Sequence, residues 1–204
     1  MNRKKILTVY NILIVLFVLY AWLRMFFDPE ESRLSSKGFT NLKYFTTLSN
    51  IFAGAVAAAW LVRCARKMDT EALSLWKYIS TCAVGLTFLV VLCFLGPLYG
   101  FGTMYVRSNF FFHMLVPLMA IAEFIIFNHR KMSAKDNLLV IIPPLLYGTV
   151  YMINTVVNGV RENDIYGFLN WGYPVGILIF AVICLVTWLV GLLLRLVTRR
   201  RRTK

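Results

Sequence analysis

Two short stretches of this 204-residue chain collect residue types that can do chemistry. In "LKYFTTLSN" (42–50), Thr46 and Asn50 are four apart and Ser49 is three from Thr46, so a helix carries all three on one side. In "NFFFHMLVP" (109–117), Asn109, His113 and Pro117 are spaced four and four. A threonine hydroxyl beside a neutral imidazole is a nucleophile with its general base, the pair that attacks an acyl carbonyl. Polar side chains then steady the oxyanion or bind the substrate, and Ser49, Asn50, Asn109, Asn154 and Asn170 are the candidates, with Trp171 and Tyr173 beside the last. Each has a plainer alternative. Thr46 can cap a helix, His113 can bond a neighbouring helix, and Trp171 and Tyr173 can form an interfacial aromatic belt. No second His, Cys or carboxylate stands at metal-ligand spacing from His113, so neither a metal nor another cofactor is expected. The four cysteines mostly lie in apolar runs and read as small buried hydrophobes.

The elements that must position these residues follow from composition. The chain is 59% hydrophobic and 15% charged, with a mean hydropathy of +0.69; a soluble globule holds about a quarter charged residues. Six stretches are long and apolar enough to cross a bilayer, at about 6–27, 45–65, 77–100, 109–128, 137–159 and 173–197. The expected fold is an all-α integral membrane protein, a single compact bundle of six transmembrane helices. The first span is too long for a signal-peptide core and lacks a small-x-small cleavage site. The net charge of +13 is gathered in clusters at the N-terminus, around Arg63–Lys77, around Arg130–Lys135 and in the tail from Arg195, alternating with the spans. That alternation is a topogenic signal rather than a nucleic-acid surface, and it puts both termini in the cytoplasm. The expected location is the cell membrane, or the endoplasmic reticulum in a eukaryotic cell. Short loops predict that consecutive helices are antiparallel and adjacent.

With this orientation, spans 2, 4 and 6 begin at the outer leaflet and span 5 ends there. Thr46, Ser49, Asn50, Asn109, His113, Asn154, Asn170 and Tyr173 then share one depth, and polar residues inside a span are functional candidates. Pro117 cannot donate to the carbonyl four residues back, so a kink is expected with the His113 carbonyl left free. Glu123 follows His113 by ten residues, about 15 Å deeper at ~1.5 Å per residue, and reads as an interhelical hydrogen-bond partner. His129 falls in the basic 4–5 loop, and Pro143-Pro144 predicts a kink near the inner face.

The stretches "KYFTTLSN", "NFFFHMLVP" and "NWGYP" (170–174), each opening an even-numbered span, resemble the androgen-induced family of multipass membrane hydrolases and its bacterial relatives. The resemblance implies hydrolysis of fatty-acid esters of hydroxy fatty acids, with membrane lipids around the protein and a lipid ester as substrate. The family's "KF-L-T" pattern falls on Lys43-Tyr44-Phe45-Thr46, which makes Thr46 rather than Thr47 the nucleophile and His113 the base. Where animal members carry a carboxylate shortly after the threonine, this chain has Ser49. No Asp or Glu stands ready to orient the imidazole, so an amide, a tyrosine hydroxyl or a backbone carbonyl must do so. Substrate tails are expected along the side chains of "NFFFHML". The same residues also fit other readings: acyl transfer to a second alcohol, a small transporter or channel subunit using His113 and Glu123, or a lipid-binding membrane protein without chemistry.

Overall fold

The computed structural model describes residues 3–27 and 36–200. The acidic part of the 1–2 connection (28–35) and the end of the basic tail (201–204) lie outside the described residues. Among the described residues there is no strand, and six helices are long and apolar enough to span a membrane. These are helix 1 (Arg3–Phe27), helix 2 (Phe45–Ala65), helix 3 (Glu71–Tyr99), helix 4 (Arg107–Phe127), helix 5 (Ala134–Asn158) and helix 6 (Tyr173–Arg199). Helix 5 starts three residues earlier than its apolar run, because Ser133 and Asp136 form a reciprocal capping box.

Helix 3 is the centre of the bundle. Helices 2, 4 and 6 pack on it, and helix 1 lies across helices 2 and 4. Of the apolar window of helix 3, 61% is buried, against 17% for helix 6, which faces the surroundings with Ile177, Leu178, Leu185 and Leu193. Small residues set the close approaches, as expected where lipid supplies no hydrophobic drive between helices. A Cβ on Gly85 would lie 3.2 Å from Val190 of helix 6, and one on Gly54 3.0 Å from Val18 of helix 1.

The adjacency expected of every consecutive pair is corrected at helices 4 and 5. Helix 6 takes the place beside helices 3 and 4, and helix 5 packs chiefly on helix 6. The reason is the small surface of helix 3 around Gly85, which admits helix 6 closely. On helix 5, Gly148 faces the Phe180 ring of helix 6, where a Cβ would come within 2.6 Å.

A second correction concerns Lys77. The helix begins at Glu71, so Lys77 stands more than a turn inside it rather than in the 2–3 loop. Its ammonium pairs with the Glu123 carboxylate and donates to Asn11 Oδ1 at 2.7 Å, while Asn11 Nδ2 donates to Glu123 Oε1 at 2.9 Å. The indole of Trp60 lies under the ammonium, 5.6 Å to the ring centroid. Helices 1, 2, 3 and 4 thus meet at one buried charge pair. Glu123 is the interhelical partner its position suggested.

Candidate functional site

The polar start of helix 2 has an extended residue, Tyr44, before it and no side-chain cap. The first unpaired amide, that of Phe45, donates to the Tyr166 hydroxyl at 3.1 Å. Thr46 is the second residue of the helix, not its cap, and Thr47 is the third. The hydroxyl of Tyr147 donates to the Lys43 carbonyl at 2.7 Å, so helix 5 and the 5–6 connection together clamp the segment that leads into Thr46. Burial, the largest influence, pushes the Tyr166 phenol up to about 12, with the Phe45 hydrogen bond pulling the other way.

His113 sits in a distorted stretch of helix 4. Phe111–Leu115 form a π-helical turn, followed directly by Val116-Pro117. The Val116 amide donates to the Phe111 carbonyl, five residues back. In that register the Phe112 carbonyl would need the amide of residue 117, and proline has none. Asn50 Nδ2 fills the vacancy, donating to Phe112 O at 3.0 Å and to Thr46 O at 2.8 Å. The widened turn thus leaves the Phe112 carbonyl without a main-chain partner, and a side chain of helix 2 satisfies it. Helix 3 repeats the device: Val91–Leu95 form a π-helical turn ahead of Gly96-Pro97. Such turns are concentrated at functional sites.

The two threonines and the histidine line one cavity of about 30 Å³, together with Asn41, Asn109 and Tyr166; Met25, Tyr44, Leu95 and Met104 complete its wall. A single water needs only ~10–15 Å³ of such space. His113 is buried, and its Nδ1 lies 2.7 Å from the Met104 carbonyl. A carbonyl can only accept, so Nδ1 carries the proton and the neutral ring keeps its lone pair on Nε2. The Met104 carbonyl is thus the orienting group, supplied by the connection between helices 3 and 4.

The other sequence candidates divide. Asn109 lines the cavity. Both N–H donors of Asn50 are spent on carbonyls, so it ties helix 2 to helix 4 instead of donating to a ligand. Ser49 Oγ donates to Thr46 O at 3.0 Å and lies 3.2 Å from Thr87 Oγ1, linking helices 2 and 3. Asn154 is exposed and bonded to Asn158 and Asn163. Asn170, Trp171 and Tyr173 are exposed and do not line the cavity; Trp171 is 70% exposed. Depth alone could not separate them, since residues at one level can face opposite ways.

On the far side of helix 2 runs a groove of about 690 Å³, walled by Phe45, Leu48 and Phe52 and by Pro143, Leu146 and Val150 of helix 5. Lys43, Glu162 and Asn163 also line it. From Pro143 to Asn154 it covers roughly 16 Å of helix 5, about half the ~30 Å of a bilayer core. The tails expected along "NFFFHML" find no such groove there: Phe112 is fully buried, and Phe111 packs on Phe17 and Tyr20 of helix 1.

Sequence reasoning passed over Asn41, Tyr166 and the Met104 carbonyl. Asn41 and Tyr166 lie in connections, outside the spans where a polar residue stands out. Among the described residues, no group of three or more His, Cys, Asp or Glu side chains is placed to hold a metal ion. No protein-family model, no curated protein and no solved structure matches the chain.

Proposed function

We propose that the protein is an intramembrane lipid-ester hydrolase with Thr46 as nucleophile and His113 as general base. The observation that carries this reading is the shared cavity: Thr46 from helix 2 and His113 from helix 4 line it together, with His113 held in the tautomer that leaves Nε2 basic. The likeness of "KYFTTLSN", "NFFFHMLVP" and "NWGYP" to the androgen-induced family supports an ester of a hydroxy fatty acid as the substrate class.

The chemistry balances with these groups alone. The Thr46 Oγ–H bond gives its proton to His113 Nε2 as the oxygen attacks the ester carbonyl, forming a tetrahedral oxyanion. Collapse breaks the bond to the leaving alcohol, which takes the proton from Nε2 and leaves an acyl-Thr46. A water then attacks the acyl carbon, its proton passes to Nε2, and collapse restores the Thr46 hydroxyl as the fatty acid departs. The cavity has room for that water but not for a lipid ester. Substrate entry therefore requires part of the cavity wall to give way. The groove between helices 2 and 5, about one leaflet deep, offers a lipid tail a place across helix 2 from the cavity.

The test is hydrolysis of a hydroxy-fatty-acid ester by the purified protein and by Thr46→Ala, Thr47→Ala and His113→Ala. Loss of general-base help costs about 10²- to 10⁴-fold, so Thr46→Ala and His113→Ala should fall at least that far while Thr47→Ala retains turnover. Equal rates in all four proteins would end the hydrolase reading.

A further inference from the structure

Resting on the hydrolase reading, we propose that the cavity contains an oxyanion subsite built from Asn41 Nδ2 and the backbone amides of Thr46 and Thr47. Its ligand is the tetrahedral oxyanion of the reaction or, more generally, a tetrahedral anion.

Asn41 supplies a donor without an acceptor. Asn41 is 2% exposed and lines the cavity, and its Nδ2 is buried with no hydrogen-bond partner among the described residues. Its amide is not free to turn over. Oδ1 accepts from the backbone N–H of Ser36 at 3.2 Å, and an N–H can face only an oxygen, so the nitrogen must be the other prong. A buried donor left unpaired costs about 1–3 kcal/mol, a cost that natural proteins rarely carry without a ligand or water to relieve it.

The second set of donors is the start of helix 2, a 21-residue helix. Tyr166 takes the Phe45 amide, and the Leu48 amide closes the first helical turn on Tyr44 O at 3.2 Å. The amides of Thr46 and Thr47 lie between these two, with no backbone acceptor among the described residues, on residues that line the same cavity. The positive end of the helix dipole adds to them. Two main-chain donors and one side-chain amide around a nucleophile make the donor set that an acyl-transfer oxyanion requires.

Asn41→Asp keeps the acceptor for Ser36 and the shape of the side chain but removes the donor; Asn41→Ala removes both. For the ester, kcat of Asn41→Asp should fall about 10²- to 10³-fold, the loss seen when one oxyanion donor is removed, with KM unchanged. Binding of an alkylphosphonate, an unreactive tetrahedral anion, should weaken at least tenfold in Asn41→Asp yet persist in Thr46→Ala, which retains every proposed donor. Wild-type kcat in Asn41→Asp, alongside an inactive Thr46→Ala, would overturn the subsite and leave the hydrolase standing. If even the wild type does not turn over, the hydrolase reading fails by itself. Phosphonate binding lost in Asn41→Asp would then still uphold an anion site, and equal binding would overturn it.

Discussion

Among single residues, Tyr166 shows how a group outside the spans can govern one within them. Its hydroxyl accepts the Phe45 amide, and its ring lies 6.1 Å from that of Tyr44. Because burial holds its proton, the folded phenol titrates near 12 against an ordinary 10.0. The sign follows: the neutral phenol is the form the fold favours, so its contribution is present below pH 10 and is lost as pH rises toward 12. Titrating phenolate absorbance in wild type and Tyr166→Phe should show the missing transition near pH 12; a missing transition near pH 10 would contradict the buried environment. Asn50 makes the complementary point. The sequence placed it correctly on the face of Thr46, but a spacing cannot say which acceptor a side chain finds. That acceptor, Phe112 O, exists only because Pro117 and a widened turn leave it unpaired.

For the helices, the length and apolarity of all six spans were legible in the sequence, because a bilayer allows few other structures. The widened turns were not. Pro117 announced a local fault, yet the choice between a kink and a π-helical turn depends on whether a neighbour can satisfy the displaced carbonyl, and that neighbour comes from helix 2. This coupling is measurable. Asn50→Leu strands Phe112 O and should cost about 1–3 kcal/mol. In a Pro117→Ala background, where residue 117 regains its amide, the same change should cost clearly less. Thermal unfolding of the four proteins in detergent gives the cycle, and additive losses would mean that Asn50 does not serve the carbonyl that proline vacates. The order of helices was likewise beyond the sequence: packing helix 6 against helix 3 depends on the fit of Gly85 to Val190, a contact 105 residues apart along the chain.

Across the whole molecule, the cavity and the buried Lys77–Glu123 clamp occupy opposite halves of the bundle. The cavity gathers the start of helix 2, while Lys77, Glu123 and Asn11 join helices beyond its middle. Removing one member of a buried pair strands the other charge, at a cost of about 3–5 kcal/mol, whereas replacing both with apolar groups is often near neutral. Lys77→Met should therefore destabilise the protein far more than Lys77→Met combined with Glu123→Leu, read as melting temperature in detergent. A double variant that loses as much as Lys77→Met and Glu123→Leu added together would show that the pair carries no coupling. The partner of the imidazole has a different consequence. Met104 contributes a main-chain oxygen, which every amino acid at position 104 would also supply. A change of the buried side chain there alters the packing without deleting that partner. If the proposed mechanism holds, a catalogue of inactivating substitutions would therefore report a dyad where three groups act, and only an insertion, a deletion or a shift of the 3–4 connection would reveal the third.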